Sequence, residues 1–332
     1  MNSKYILSAL LSFVIFSCQY QNESGSKDEV KFQDESHVVV LDTVSKAQHI
    51  TSLPIPENLS FARERVPLER NDVREALEYE LMVNSFRHSK TLKLIKTIKR
   101  WSPLILEILE NENVPKDFIY LAVAESEFNP NARSYVGAMG MWQFMEATGK
   151  EYGLLKNKYV DMRRDPELST NAACKYLKGA QSLFSSWTLA AASYNCGRSG
   201  LLRTMTKQGV DDFYDLHLNT ETGRYIYRII AFKLILENPE AYGYFVSEEE
   251  KYAPFEFTEV EVNKDIDNLP EFAKEQGTTY KMLRIYNPWF NNTSSYRLNV
   301  GRKKYMIRVP LSTKDISVID SNIEGDSSVA DN

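Results

Sequence analysis

"AVAESEFNPNARSYVGAMGMWQFM", Ala122 to Met145, sets one glutamate, Glu125, in an apolar and small-residue run and follows it with glycine-punctuated polar turns. On a helix running from about Pro115 to Phe128, Glu125 shares a face with Phe118, Leu121 and Ala122. A carboxyl on that face is partly desolvated, which raises its pKa and keeps it protonated near neutral pH, the state a general acid needs. Glu127 lies about 200° further round the helix and serves as an internal control. From periodicity alone Glu125 can equally be a solvated or capped helix residue.

Outward from this stretch the pattern is helical. From about Phe61 to Tyr244, apolar residues recur at three and four in "VREALEYELMVNSF", "KTLKLIKTIKRWSPLILEILEN", "LSTNAACKYLKGAQSLF", "SWTLAAASYNCG" and "GRYIYRIIAFKLILEN". Pro115 near a first turn, "NP" at Asn129 and Pro130, and "RDPELST" mark helix ends and starts. The reading divides this part into 61–107, a helical N-terminal portion, and 108–247, an all-α domain. Beyond Lys251, alternation in "FEFTEVEV", a helical "LPEFAKEQGTTYKMLRIYNP" and alternation in "RKKYMIRVP" predict a small α+β module over 251–312. The fold class expected is therefore mainly α. Residues 313–332 are polar and acidic without periodicity and read as a disordered tail.

The 332 residues are 43% hydrophobic and 12% aromatic, ample for a core. The net charge is −5, and lysines and arginines are scattered among acids, which argues against nucleic acid as the main partner. His37, His49, His88 and His217 are neither clustered nor set beside cysteine at ligand spacing, so neither a metal nor a cofactor is expected. "MNSKYILSALLSFVIFSC" carries a lysine, an apolar run from Tyr5 to Phe16, a small residue and a cysteine, the build of a secretion signal. That run is well short of the ~20 residues of a spanning helix. Residues 18–60 are polar and charged, the composition of a flexible tether. Cys174 and Cys196 lie in alanine-rich helical surroundings and read as free thiols acting as small hydrophobes.

Two resemblances add to this reading. "IFSC" resembles the lipobox of bacterial lipoproteins, which implies cleavage of residues 1–17, a lipid on Cys18, and an exported protein held on the periplasmic face of a membrane. Gln19 after the cysteine is compatible with the outer membrane. The stretch around Glu125, with "DPELSTNAACKYL", "LAAASYNCG" and "ETGRYIYRIIAFKLILENPEAYG", closely resembles the soluble-lytic-transglycosylase (goose-lysozyme-like) catalytic domain, closest to the membrane-bound lytic transglycosylase D type. The resemblance implies a lysozyme-like domain that cleaves the β-1,4 bond between N-acetylmuramic acid and N-acetylglucosamine of peptidoglycan glycan strands, with 1,6-anhydro ends. It places Glu125 as the catalytic acid and Ser126 as its paired serine. Gly140, Met141, Trp142 and Gln143 match the Gly-Leu-Met-Gln type motif, with tryptophan in the third place; Ser193, Tyr194 and Asn195 stand where the family has Ala-Tyr-Asn, Ser193 replacing the alanine and Cys196 following where a small residue is usual; Tyr225 matches the late tyrosine beside the glutamate.

These residues suit the roles chemically. Ser126 and Tyr225 can bond the carboxyl or hold its rotamer, Gln143 and Asn195 can orient acetamido groups, and Tyr194 can line the cleft. Trp142 and Tyr194 can equally be core aromatics, and Asn195 a helix cap before Gly197. Gly137, Gly140 and Gly149 serve turns and close approach. Glu146, Glu151 and Asp161 are the places to look for a hydrolytic second carboxylate; none has the apolar frame of Glu125, and Glu146 and Glu151 read as solvated. The C-terminal module weakly resembles LysM, which leaves sugar binding and a spacer role both open. Two alternatives to a lytic transglycosylase remain at this point: a muramidase that admits water, and a catalytically silent wall-binding lipoprotein.

Overall fold

The computed structural model describes residues 51–291 and 296–311. The expected signal peptide, Cys18, the tether as far as residue 50 and the tail from residue 313 lie outside the described residues.

Two short antiparallel strands, β1 (Ser60–Phe61) and β2 (Glu64–Arg65), precede the helices α1 (Asn71–Ser85), α2 (His88–Asn111), α3 (Ile119–Ser126), α4 (Glu146–Glu151), α5 (Pro166–Phe184), α6 (Trp187–Cys196), α7 (Arg198–Gln208) and α8 (Thr220–Glu237). Helix starts follow from side-chain caps. Asp165 accepts from Leu168 N at 2.9 Å with Pro166 in the first turn of α5, and Asn219 Oδ1 accepts from Thr222 N at 3.0 Å to open α8. At α6 the Glu64 carboxylate accepts from Trp187 N at 2.6 Å and Thr188 N at 2.9 Å, placing negative charge at the positive end of the helix.

Helix α8 is central, packing on α1, α3 and α6. Its Tyr225, Ile226, Ile229 and Ile230 are buried, as are Leu77 and Leu81 of α1. Each such aliphatic side chain contributes roughly 1.5–3 kcal/mol by leaving water. Ala190, Ala191 and Ala192 are fully buried on α6, where small side chains permit close approach to α5 and α8.

Around Glu125 the structure departs from the expected helix of about 115–128. A 3-10 turn over Lys116–Phe118 leads into α3, which stops at Ser126. The end comes before Pro130 because Glu127 and Phe128 both take left-handed backbone, φ 55° and 59°. This double reversal drives Phe128 into the core, 2% exposed, and turns Glu127 toward Lys90, whose Nζ lies 3.1 Å from Oε1. Glu127 is thus a helix cap, not a residue on the far side of the same helix.

The C-terminal module pairs β3 (Phe257–Val262) antiparallel with β4 (Tyr305–Pro310), Phe257 opposite Pro310 and Val262 opposite Tyr305. Between them run α9 (Leu269–Glu275) and α10 (Tyr280–Tyr286), separated at Gly277, whose φ of 72° suits glycine. The module is fastened to the helices by backbone and charge. Asp161 N donates to Trp289 O at 2.8 Å and Asn291 N to Tyr159 O at 2.7 Å. Arg308, 8% exposed on β4, pairs with Asp165 at 3.0 Å and Glu167 at 2.7 Å at the start of α5. The fold is mainly α with a small α+β module.

Candidate active site

Glu125 sits in the last turn of α3, after five consecutive buried residues, Ile119 to Val123. It is half-buried, and α8 supplies what faces it. Tyr225 Oη donates to Glu125 Oε1, and Tyr225 is itself 1% exposed. Glu221 and Arg228, four before and three after Tyr225, fall on the same helical face and act on Glu125 by charge. Burial is the largest influence on the carboxyl and pushes its pKa up from 4.5 to about 7. The Tyr225 hydrogen bond and the Arg228 charge pull it down, and the Glu221 charge pushes it up. The expectation of a desolvated, proton-holding carboxyl is therefore met in the structure, with withdrawal from water as the cause.

Arg228 is held in turn. Its Nε lies 3.6 Å from Oε2 of Glu80, a fully buried carboxylate on α1 that also takes Arg224 Nε at 2.6 Å. Neither Glu80 nor Arg228 was singled out in the sequence. Arg228 could have been, since it shares a helix face with Tyr225; Glu80 arrives from another helix and gave no local signal.

The loop from Asn129 to Met145 is shaped by backbone requirements. Gly140 has φ 87°, and a Cβ there would meet Arg163 O at 1.8 Å, so no side chain fits. Gly137 has φ 90°, while helical Gly149 is needed for closeness to the Arg163 side chain, 3.0 Å from a Cβ at that position. Arg163 braces the loop from beneath: Nη1 donates to Phe144 O at 3.0 Å, and Nη2 pairs with Asp161 at 2.7 Å, both side chains 3% exposed. Asp161 is therefore a buried structural acid committed to Arg163. Glu146, bonded by Lys156, and Glu151 are exposed. None of these three is among the groups that perturb Glu125.

The remaining predicted residues separate into those that touch the Glu125 region and those that build its frame. Ser126 does not bond the carboxyl: its Oγ donates to Met141 O at 2.7 Å, tying α3 to the loop. Met141 and Trp142 are fully buried, and Trp142 Nε1 donates to Thr170 Oγ1 at 2.8 Å, so Trp142 is a core aromatic. Gln143, at φ 50°, donates from Nε2 to Gly140 O at 2.7 Å and Ala132 O at 3.2 Å. Its amide nitrogen is engaged in holding the loop. Tyr194 donates to Trp142 O at 2.9 Å, is half-buried, and feels the Glu125 charge, which with burial pushes its hydroxyl pKa well up. Asn195 is not a cap: α6 continues through Cys196 and Gly197 ends it. Asn195 Oδ1 instead accepts from Thr222 Oγ1 at 2.8 Å, three residues before Tyr225 on α8. Cys174 and Cys196 are free thiols, the first buried and the second half-buried.

Residues 103–217 match the family model for the Transglycosylase SLT domain. The chain carries a transglycosylase SLT domain. Glu125 to Asn195 lie inside the match and Tyr225 just beyond it. Residues 258–313 match the Soluble lytic transglycosylase C-terminal LysM-like domain. Membrane-bound lytic murein transglycosylase D of Escherichia coli (strain K12) is 31% identical over 180 residues, 53% of this chain and 39% of the relative. The chain thus spans well under half the length of this curated relative. Peptidoglycan transglycosylase gp16 of Escherichia phage T7 is 43% identical over 83 residues, 24% of this chain and 6% of that protein. Among solved structures, lytic transglycosylase Slt of Pseudomonas aeruginosa aligns with a TM-score of 0.34 at 20% identity, covering 46% of this chain and 26% of that one.

Proposed function

We propose that the chain is a peptidoglycan lytic transglycosylase with Glu125 as its acid and base. The observation that carries this reading is the half-buried Glu125 with a pKa near 7, bonded by Tyr225, inside the SLT domain match. Cleavage of the β-1,4 bond between N-acetylmuramic acid and N-acetylglucosamine needs a proton on the departing oxygen while the sugar carbon becomes oxocarbenium-like. Glu125 supplies that proton. The acetamido group of the substrate can stabilise the cation, so a second carboxylate is not required. The Glu125 carboxylate then takes the proton of the sugar's 6-hydroxyl as that oxygen attacks the anomeric carbon. The 1,6-anhydro ring closes and no water is consumed. Tyr225 sets the carboxyl's rotamer and its affinity for the proton, and in this reading Tyr194 and Asn195 of α6 are the residues that line the sugar cleft, with Asn195 Oδ1 held by Thr222. Ser126, Met141, Trp142 and Gln143 act by shaping the loop opposite.

The same reading assigns 61–107 and 108–247 to the catalytic region and 251–312 to the appended LysM-like module. It anchors the chain through Cys18 on the periplasmic face of a bacterial membrane, for wall remodelling or turnover. The test is mass spectrometry of soluble products from purified peptidoglycan, for the wild type and Glu125→Gln. Products one water lighter than hydrolytic muropeptides, absent with the variant, support the proposal. Reducing ends would make the protein a muramidase, and release by neither protein would leave a wall-binding module.

A further inference from the structure

The junction between the helices and the C-terminal module forms a recess of about 330 Å³, open to solvent, between Asn157–Tyr159 and the turn before β4. Three cations line it, Lys158, Arg302 and Lys303, together with Tyr159, Tyr305 and Asn299, and no acidic residue does. All three cations are exposed, and none has an acidic partner among the described residues. Their sequence neighbours differ: Lys156 holds Glu146, and Lys304 holds Glu261 at 2.9 Å. In a chain of net charge −5, the recess gathers three such cations in one place.

The recess is built jointly. One wall continues through the Asp161 N to Trp289 O bond into the Asp161–Arg163 pair, and Arg163 carries the loop beside Glu125. A strand of alternating sugars running through the Glu125 cleft would carry peptide stems, whose free carboxylates are its main fixed negative charge. We propose that this recess binds the stem carboxylates of peptidoglycan, so that the module reads the peptide and not only the sugar. The proposal rests on the murein-cleaving reading above. Point charges of lysine with one arginine, beside amide and phenol donors, suit mobile carboxylates on a flexible stem. A concave recess of this size, lined by three cations, fits a peptide branch better than a flat lipid surface.

The test uses the full-length chain in detergent, with wild type, the triple variant Lys158→Gln/Arg302→Gln/Lys303→Gln, and Lys156→Gln outside the recess. Each is assayed on stem-bearing glycan strands and on strands stripped of stems by an amidase. We expect the wild type to favour stem-bearing strands by about tenfold in KM, the sum of three modest exposed ion pairs. Salt should erode that preference. The triple variant should lose the preference with kcat kept, and Lys156→Gln should retain it. A preference that persists in the triple variant, or is absent from the wild type, overturns the proposal. A wild type that cleaves neither substrate overturns the catalytic reading instead, and pull-down on intact against stripped sacculi then decides the recess. Loss of binding to phosphatidylglycerol vesicles in the triple variant, without loss of stem preference, would make the recess a headgroup site and equally overturn the proposal.

Discussion

Two regions withdraw a carboxylate from water, and they compensate it differently. Beneath the loop, Asp161 is 3% exposed and locked to Arg163, whose guanidinium also serves backbone carbonyls. At the end of α3, Glu125 receives a tyrosine hydroxyl and only the more distant charge of Arg228, which Glu80 and Glu221 already claim. A buried acid with a full cation is committed as a strut. A buried acid given only a neutral donor keeps its proton to about neutral pH, and that makes it usable in chemistry.

The comparison breaks most visibly at Glu125 itself. Glu125→Gln should lower turnover of peptidoglycan by about 10³-fold or more, since both proton transfers pass through this group. It should also change the pH dependence of stability. The folded carboxyl holds its proton up to about pH 7, whereas the unfolded one releases it near 4.5, so the native state loses stability as pH rises through that window. Thermal melts should show the variant gaining on the wild type by on the order of 2 kcal/mol between pH 5 and 8. The opposite sign would mean that Glu125 is an ordinary paired carboxylate.

At the strut, Arg163→Ala leaves Asp161 buried and unpaired and should cost about 3–5 kcal/mol in denaturant unfolding. A loss under about 1 kcal/mol would show that water reaches Asp161. Tyr225→Phe sharpens the contrast. Removing the hydroxyl removes a pull that lowers the Glu125 pKa, so the alkaline limb of the rate profile should move up by about one pH unit with a loss of roughly tenfold in kcat. An unmoved limb would detach Tyr225 from the titration. Glu127→Gln should change activity less than about twofold, because its carboxylate faces Lys90 and Arg87 in half-exposed ion pairs.

How far the sequence carried can be judged residue by residue. The desolvation of Glu125 was legible because the apolar run before it is local, and so was the start of α5, which depends on Asp165 a few residues away. The module's two strands announced themselves by alternation. Tyr225, a hundred positions beyond Glu125, entered only through resemblance. Ser126 and Gln143 were read as substrate-binding or supporting residues, and their hydrogen bonds close the loop, since left-handed turns at Glu127, Phe128 and Gln143 decide where those side chains point. Such turns at non-glycine residues cost energy that only surrounding packing can offset, and local propensity does not predict them. Arg163, Glu80, Thr170 and Thr222 were missed for the same reason: their partners lie elsewhere in the chain.

The central claim is that Glu125 carries its proton near neutral pH. It is tested most directly by NMR titration of its side-chain carboxyl carbon, assigned by the signal lost in Glu125→Gln. A midpoint near pH 7 is the predicted result. A midpoint near 4.5, with the carboxylate ionised throughout the neutral range, would contradict the account.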